Sequence, residues 1–341
     1  MLALCNILIA LMDKSAKLDS NSNSRRVLCS VANEIKYLRK AIEKGHTDLS
    51  FVGKSNVGKS TIINAILGEK VAPSKNKPYT SAIVEYRYAE QYSLVMKKTR
   101  EELISVQRYD DNVKLVSDIK RNATVTDESL FSSAERTLVY VPSNFLKNNV
   151  FIYDTPGYGA TKGEEDESES PAGIHDHIVN SFLESTDCMH VFWIIRENFT
   201  EEIKELMYKY CGANASTVKH YVIVNTKSKD LSDEFKSNFK KNYHNELNLC
   251  DETFFINAMD AVTNAEKAEE LRMWILDKIL ITPDKIGTKI VELLDRMAVQ
   301  CREIDKCNIT WSQAMFATAS VKCKNRNLHC IVESLNKLSD K

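Results

Sequence analysis

The chain has 341 residues, of which 43% are hydrophobic and 27% are charged, with a formal net charge of −1. This composition is typical of a globular protein with one large domain or two modest ones. The balanced charge gives no reason to expect nucleic acid or an anionic membrane as an obligatory partner. Nine scattered cysteines, without a C-x-x-C pair, argue against a disulfide framework and indicate reduced thiols in a cytoplasmic protein.

The first dozen residues are apolar, but they lack the basic segment and the small-residue cleavage site of a secretory signal. Asp13 and Lys14 follow too soon for a membrane span, which needs about 20 apolar residues. Leu4, Leu8 and Leu11 share one helical face, so we expect an amphipathic helix. Its apolar face could pack on the protein's own core, on a partner helix or on a membrane surface.

The next predicted elements surround a short segment rich in glycine and lysine. A helical stripe over residues 27–42 stops at Gly45. The apolar run over 48–52 predicts a buried strand, and the pattern over 61–67 predicts a helix that ends at Gly68.

Five further apolar runs predict strands, and helical patterns separate most of them. The strands are predicted over 81–88, 148–154, 189–195, 220–225 and 253–257, and the helices over 174–187, 200–210, 231–246 and 259–279. Buried strands that alternate with amphipathic helices are typical of an α/β domain with a mostly parallel sheet. Residues 162–171 form an acidic low-complexity loop, and the pattern after about residue 285 is helical.

Residues 53–60, called the phosphate loop below, match G-x-x-x-x-G-K-[ST] and lie between a predicted strand and a predicted helix. The glycines let backbone N–H groups close around a phosphate, and the helix directs its positive end at the same anion. We expect Lys59 to bind the β and γ oxygens and the Ser60 hydroxyl to bind Mg²⁺. The nucleotide-binding residues predicted here are Gly53, Ser55, Asn56, Val57, Gly58, Lys59, Ser60 and Thr61.

A second motif, VFIYDTPGYG, supplies further candidates for metal and γ-phosphate contacts. Its strand brings Asp154 to the carboxyl edge of the sheet, where it can hold Mg²⁺ directly or through water, and the Gly157 N–H can reach the γ-phosphate. Between the two motifs, Thr80 is the candidate for a loop that closes over the metal, with Ser81 as the fallback. We therefore predict as catalytic residues Lys59, Ser60, Thr80 and Gly157, and as metal ligands Ser60, Thr80 and Asp154.

The candidate base-recognition loop is irregular. A guanine site usually has [NT]-K-x-D after a strand; here Thr226 and Lys227 fit, whereas the acid comes one residue late, at Asp230. Either the loop bulges so that Asp230 still reaches the base, or selectivity for guanine is weakened. Asn257 and Ala258 follow a later strand, where a backbone N–H usually contacts the guanine O6.

Several of these segments together resemble the G domain of dynamin-like GTPases over about residues 46–280. They are GKSNVGKSTIINAILG, PYTSAIVEYRY, DTPGYG and the stretch over 184–206. The phosphate loop is also similar to that of Era-like GTPases. The separation of 95 residues between Lys59 and Asp154 favours the dynamin-like family, because Era-like domains place the two motifs much closer together.

The resemblance implies a Mg²⁺-dependent GTPase that binds GTP and GDP, pairs through its G domains and hydrolyses GTP faster when paired. Many relatives remodel membranes, so it also implies a cytoplasmic or peripheral membrane protein whose partners are a second copy and a membrane surface or membrane-associated protein, with no nucleic acid. The flanking segments, 1–45 and 281–341, are helical and long enough for a short neck, but not for a full stalk.

Two residues of the resemblance carry further implications. Asn56 matches the residue that helps to hold K⁺ or Na⁺ in cation-activated relatives, and it could equally cap the loop. Tyr158 stands where a glutamine positions water in other GTPases, so backbone groups and the switch I loop are expected to do so here. The rival readings are an Era-like ribosome-assembly GTPase, for which a basic RNA-binding face is missing, and a nucleotide-loaded scaffold with little turnover.

Overall fold

The computed structural model describes most of the chain between residues 22 and 279. The described residues are 6, 9, 22–73, 83–97, 103–123, 137–158, 172–185, 189–196, 204–205, 207–208, 218–226, 232–247, 252–279, 288–289, 292–293 and 296. The chain divides into two compact units, one of His46–Ile279 and one that combines Met1–Gly45 with Leu280–Lys341.

The larger unit is built on a nine-stranded sheet, as far as the described residues show. In chain order the strands are β1 (Thr47–Val52), β2 (Val84–Tyr88), β3 (Tyr92–Lys97), β4 (Leu103–Tyr109), β5 (Thr137–Val141), β6 (Val150–Asp154), β7 (His190–Ile195), β8 (Lys219–Asn225) and β9 (Glu252–Ile256). Their order across the sheet is β4-β3-β5-β2-β6-β1-β7-β8-β9.

Parallel pairing dominates the centre and one side of this sheet. Among the described strands, β1 pairs in parallel with β6 and β7, β2 with β5, and β8 with β7 and β9. The antiparallel pairs are β2 with β6 and β3 with β4 and β5. Every residue of β7 is buried, as expected for a strand with both faces covered by helices.

The helices of the described part lie mainly between the strands in sequence. They are α1 (Ser22–Lys44), α2 (Lys59–Leu67), α3 (Asn112–Ala123), α4 (Ala172–Ser185), α5 (Asp233–Leu247), α6 (Ala258–Thr263) and α7 (Ala265–Ile279), with a short 3-10 helix over Leu146–Asn148.

Helices pack against both faces of the sheet. On one face, Phe182 of α4 packs against Tyr153 of β6 with ring centroids 5.4 Å apart. On the other face, Trp274 of α7 packs against Phe254 of β9 at 4.8 Å. Arg272 of α7 donates 2.8 Å hydrogen bonds to the Ala65 and Ile66 carbonyls at the end of α2. This contact satisfies terminal helix carbonyls and places a cation at the negative end of the helix dipole.

The predicted α/β class with a mostly parallel sheet is confirmed. The sequence analysis missed β3, β4, β5 and α3, which all lie between the two phosphate-binding motifs. The long helix predicted over 259–279 is wrong, because Asn264 divides it into α6 and α7. The Asn264 side chain accepts hydrogen bonds from the Glu266 and Lys267 amides, at 3.0 and 3.3 Å, and so starts a new helix.

Other sequence predictions lie wholly or partly outside the described residues. The acidic loop over 162–171 and the N-terminal leucines are not among them. Of the helix predicted over 200–210, the four described residues, Lys204, Glu205, Met207 and Tyr208, are helical.

The smaller unit contains α1 and the described residues near 290. Val31, Ile35 and Leu38 of α1 are buried along one stripe, as the helical pattern predicts. Glu34, on the same helix, lies 2.6 Å from the Arg296 guanidinium and 3.1 Å from the Lys289 ammonium group. In the described part of the chain, no helix combines the length and apolar character that a bilayer span requires.

Candidate functional site

The phosphate loop connects the carboxyl end of β1 to the amino end of α2. Because β6, β7 and β8 run parallel to β1 or to its neighbour, their carboxyl ends reach the same edge of the sheet. Ligand sites of open α/β sheets lie at this edge. The segments 154–158, 196 and 225–226 therefore surround the loop.

Two glycines of the loop are required by close packing. Gly58 has a φ of +102°, and a Cβ there would lie 2.2 Å from the Asn225 side-chain nitrogen. A Cβ on Gly53 would lie 2.3 Å from the Ile194 carbonyl oxygen, at the end of β7. The loop therefore follows the neighbouring strand ends too closely for side chains at these positions.

Lys59 is folded back over its own loop. Its Nζ donates to the Gly53 carbonyl at 2.8 Å and to the Lys54 carbonyl at 2.9 Å, and the side chain is buried. Burial lowers the pKa of Lys59 to about 8, although the nearby Asp154 carboxylate acts to raise it. An anion bound beside Lys59 would favour the charged ammonium form.

Asp154 and Ser60 form a second polar pair beside the loop. The Ser60 hydroxyl donates to Asp154 Oδ2 at 2.8 Å. The other oxygen, Oδ1, is buried and has no hydrogen-bond partner among the described residues. Burial raises the pKa of Asp154 to about 6, and both Lys59 and the Ser60 hydrogen bond act to lower it. A buried carboxylate oxygen beside a hydroxyl fits the oxygen-ligand chemistry of Mg²⁺.

Residues 154–158, called the switch segment below, contact the phosphate loop directly. The Ser55 amide donates to the Tyr158 carbonyl at 3.4 Å, and the Ser55 hydroxyl donates to the Gly157 carbonyl at 3.3 Å. A Cβ on Gly157 would lie 2.5 Å from Ser55 Cα. The Thr155 hydroxyl donates to the Phe51 carbonyl at 2.8 Å, which fixes the start of the segment on β1.

Two side chains hold the opposite side of the phosphate loop. Asn225, the last residue of β8, donates from Nδ2 to the Val57 carbonyl at 2.7 Å. Its Oδ1 accepts a hydrogen bond from the Ala258 amide at 3.0 Å. Arg196, the first residue after β7, donates from Nη2 to the Asn56 carbonyl. Asn56 itself has a φ of +60°, in the left-handed region.

The structure brings most of the predicted site residues together at this edge. Residues 53–61 form the phosphate loop and the first residues of α2, and Asp154 and Gly157 pack against them. Asn225 links the loop to Ala258, which follows Asn257. The Asn257 side chain accepts from the Met259 and Asp260 amides at 3.1 and 3.3 Å, so it caps α6. The predictions for Thr80, Lys227 and Asp230 lie outside the described residues.

Asn225 and Arg196 are absent from the predicted site. Asn225 begins the irregular Asn-Thr-Lys segment, and an amide at the carboxyl end of a strand beside a base loop is the signal that could have identified it. No sequence motif identifies Arg196, because its relevance follows only from its contact with the phosphate loop.

Comparison with known proteins agrees with this geometry. A model of the dynamin family matches residues 49–242, more than half of the chain. The chain belongs to the dynamin family. The matched residues contain both phosphate-binding motifs and eight of the nine described strands, apart from the first two residues of β1.

Individual relatives share shorter stretches. Dynamin-like protein 2 of Campylobacter jejuni is 25% identical over 136 residues, which are 40% of this chain and 20% of that protein. GTPase Era of Leifsonia xyli is 58% identical over 33 residues, which are 10% of this chain and 11% of Era. The Era likeness is therefore local, whereas the dynamin match extends across the domain.

A solved structure has the same fold. It is that of an oligomerised bacterial dynamin pair, described as providing a mechanism for long-range sensing and tethering of membranes. The alignment has a TM-score of 0.50 and 14% sequence identity, and covers 98% of this chain and 52% of that chain. The chain thus spans about half the length of this dynamin, and the larger unit is a dynamin-like G domain.

Proposed function

We propose that the protein binds GTP with Mg²⁺ and hydrolyses it to GDP and phosphate. The observation that carries this proposal is the convergence of Lys59, Ser60 and Asp154 at the carboxyl edge of the sheet. A buried cation, a hydroxyl and a buried carboxylate with one unengaged oxygen are what a metal-bound triphosphate needs.

The chain's own residues have separate tasks in this proposal. The Lys59 ammonium group moves from the Gly53 and Lys54 carbonyls towards the β and γ oxygens and neutralises charge that develops on them. Ser60, Asp154 and Thr80 would hold Mg²⁺, which supplies further charge neutralisation at the phosphates. The Gly157 amide donates a hydrogen bond to the γ-phosphate, so the position of the switch segment depends on whether GTP or GDP is bound. Because Tyr158 replaces glutamine, backbone groups position the attacking water.

Removal of the Lys59 ammonium group tests the proposal. Lys59→Ala should weaken GDP and GTP binding by about a hundredfold, the loss expected for charged hydrogen bonds. Lys70→Ala removes an exposed ammonium group from the same region and serves as the matched control. Titration calorimetry measures both affinities. Binding by Lys59→Ala that equals the wild type would remove the phosphate-loop assignment.

The metal assignment has a test that does not depend on turnover. Mg²⁺ should slow the release of a fluorescent GDP analogue from the wild type, and Asp154→Asn should remove most of this effect. Stopped-flow fluorescence with and without Mg²⁺ measures the release. An unchanged response to Mg²⁺ in Asp154→Asn would exclude Asp154 as a metal-binding residue.

Guanine selectivity is proposed to come from Lys227, Asp230 and the Asn257-Ala258 segment. The Ala258 amide is already engaged by Asn225, so a base oxygen would share or displace this 3.0 Å contact. Competition of GTP and ATP for the wild-type site tests the selectivity. Equal inhibition constants for GTP and ATP would show that Asp230, which comes one residue later than in the usual motif, does not distinguish guanine from adenine.

Self-association and membrane action are proposed from family membership. The oligomerised bacterial dynamin pair with the same fold, described as sensing and tethering membranes, supports self-association. That the copies pair through their G domains, with K⁺ or Na⁺ beside Asn56 as a further charge, is proposed from the family alone. Specific GTPase activity should then rise with protein concentration and with anionic liposomes. A constant specific rate would remove the pairing, and complete absence of turnover would favour a nucleotide-loaded scaffold.

A further inference from the structure

Two consecutive carbonyls on the outer side of the phosphate loop accept hydrogen bonds from neighbouring strand ends. The Asn56 carbonyl accepts from the Arg196 guanidinium, and the Val57 carbonyl accepts from the Asn225 side chain at 2.7 Å. Asn225 is the last residue of β8 and Arg196 follows the last residue of β7, and these two strands pair in parallel beside the loop. The two side chains therefore hold the loop from the side opposite to a bound phosphate.

These carbonyls belong to the peptide groups whose amides serve the nucleotide. In a phosphate loop the N–H groups converge on the anion, so the carbonyl of the same peptide plane points away from it. The Asn56 carbonyl is coplanar with the Val57 amide. A positive donor on that oxygen polarises the peptide group and makes its N–H a stronger donor, because hydrogen bonds in a chain reinforce one another.

The position of Arg196 follows from the sheet. All six residues of β7 are buried, and β7 pairs in register with β1 through Phe192 and Trp193. Arg196 is the next residue and is exposed, so its backbone is fixed by the strand while its side chain is free to extend along the loop. Gly53 lies against the Ile194 carbonyl, which keeps the strand end and the loop together.

We propose that Arg196 is a positioning residue that holds the left-handed turn at Asn56 and strengthens the Val57 amide for the diphosphate part of the nucleotide. The inference rests on the proposed nucleotide binding at this loop. Arg196 acts through the peptide group and not by contact with the γ-phosphate. Since GDP and GTP share the diphosphate, its removal weakens both to the same extent.

Measured affinities of three variants test this inference. Arg196→Ala should raise the dissociation constants of both GDP and GTP about tenfold, equivalent to about 1.4 kcal/mol. Arg196→Lys, which keeps one charged donor, should raise the two dissociation constants by only about threefold, which is half of the loss in binding free energy. Arg108→Ala removes an exposed arginine from β4 and should bind as the wild type does. Steady-state turnover should show a raised KM with a kcat within about twofold of the wild-type value.

Each outcome supports or overturns the inference. Equal losses for GDP and GTP that persist in about 0.5 M choline chloride support it, because salt screens distant charge but not a direct hydrogen bond. A loss for GTP alone, a loss that vanishes in salt, or wild-type affinity in Arg196→Ala overturns it. If the wild type binds neither nucleotide, the proposed function itself fails. An unfolding midpoint measured without nucleotide checks that Arg196→Ala is folded. If it is not, the affinities of Arg196→Lys and the wild type are compared instead.

Discussion

Gly157 leaves no room for a side chain between the switch segment and the phosphate loop. A Cβ there would lie 2.5 Å from Ser55 Cα and 2.7 Å from the Ser55 amide nitrogen. Backbone atoms cannot yield as the end of a flexible side chain can. A substitution at Gly157 must therefore separate the two segments.

We predict that Gly157→Ala lowers GTP turnover at least tenfold while GDP affinity changes by less than about threefold. The separation removes the alignment of the switch segment but leaves the loop amides that hold the diphosphate. Single-turnover hydrolysis and GDP titration measure the two effects. Wild-type turnover in Gly157→Ala would show that this contact has no part in hydrolysis.

Two buried histidines couple the stability of the sheet to pH. His190 is fully buried, and His220 accepts a 3.2 Å hydrogen bond at Nδ1 from the Trp193 indole. Burial, followed by the positive charge of Lys219, lowers the pKa of His190 to about 3 and that of His220 to about 4. Between pH 6.5 and 4 the unfolded state binds more protons at these groups, so each reduces stability as the pH falls.

We predict that His220→Gln makes stability less sensitive to acid. Each histidine contributes a loss of about 1.4 kcal/mol per pH unit in this window. The raised pKa of Asp154, about 6, acts in the opposite sense between pH 6 and 4, because folded Asp154 binds the extra proton. Once His220 is removed, the opposite pH dependences of the two remaining groups, His190 and Asp154, should nearly cancel in the free energy of unfolding. Urea unfolding at pH 7, 6 and 5 measures the free energy of unfolding of both proteins. If the variant differs from the wild type by the same amount at all three pH values, the prediction is contradicted.

At the scale of elements, the sequence predicted most of the central strands of the sheet and most of the helices that follow them. β1, β6, β7 and β8 appear as apolar runs because both of their faces are covered. β3 and β4 were missed at one edge of the sheet. β5 lies inside the sheet between β3 and β2 and is mostly buried, so its short apolar run, TLVYV, was a signal that the sequence analysis overlooked. Val106, Gln107 and Arg108 of β4 are exposed, so that strand lacks an apolar signature.

The site was predictable to the extent that its chemistry lies in contiguous motifs. Lys59, Ser60 and Asp154 are recognisable from local spacing and neighbouring strands. Asn225 and Arg196 act through the carbonyls of residues distant in sequence, and only the order of β1, β7 and β8 brings them there. Contacts between residues so far apart in sequence can be recognised only when the order of the strands in the sheet is known.

The ionic contacts of Glu34 provide a prediction for α1. Burial acts to raise the pKa of Glu34, but hydrogen bonds from Arg296 and Lys289 outweigh it and hold the pKa below its ordinary value. We predict that Glu34→Gln weakens the packing of α1 by about 1 kcal/mol. Glu43→Gln, which removes an exposed pair with Arg39, should cost less than about 0.5 kcal/mol. Amide hydrogen exchange over residues 31–42 measures both changes, and equal exchange rates in the two variants would contradict the prediction.

At the scale of the whole molecule, the larger unit contains the complete described site. The predicted domain boundaries, 1–45, 46–280 and 281–341, suggest that this unit is independent. We predict that a fragment of residues 46–279 folds cooperatively and binds GDP within about twofold of the full chain, because a compact domain carries its own core. Calorimetric unfolding and GDP titration test this. Failure of the fragment to fold would show that the terminal segments complete its core.

The buried opposite charges of Lys59 and Asp154 make the lifetime of the folded protein depend on the cellular supply of nucleotide. Both groups are withdrawn from water, and their altered pKa values record the resulting penalty. Under the proposed function, a nucleotide with its metal compensates both charges, and any ligand specific to the native form protects it from unfolding. Molecules that lose their nucleotide when energy is scarce would then be the first to reach chaperones and proteases.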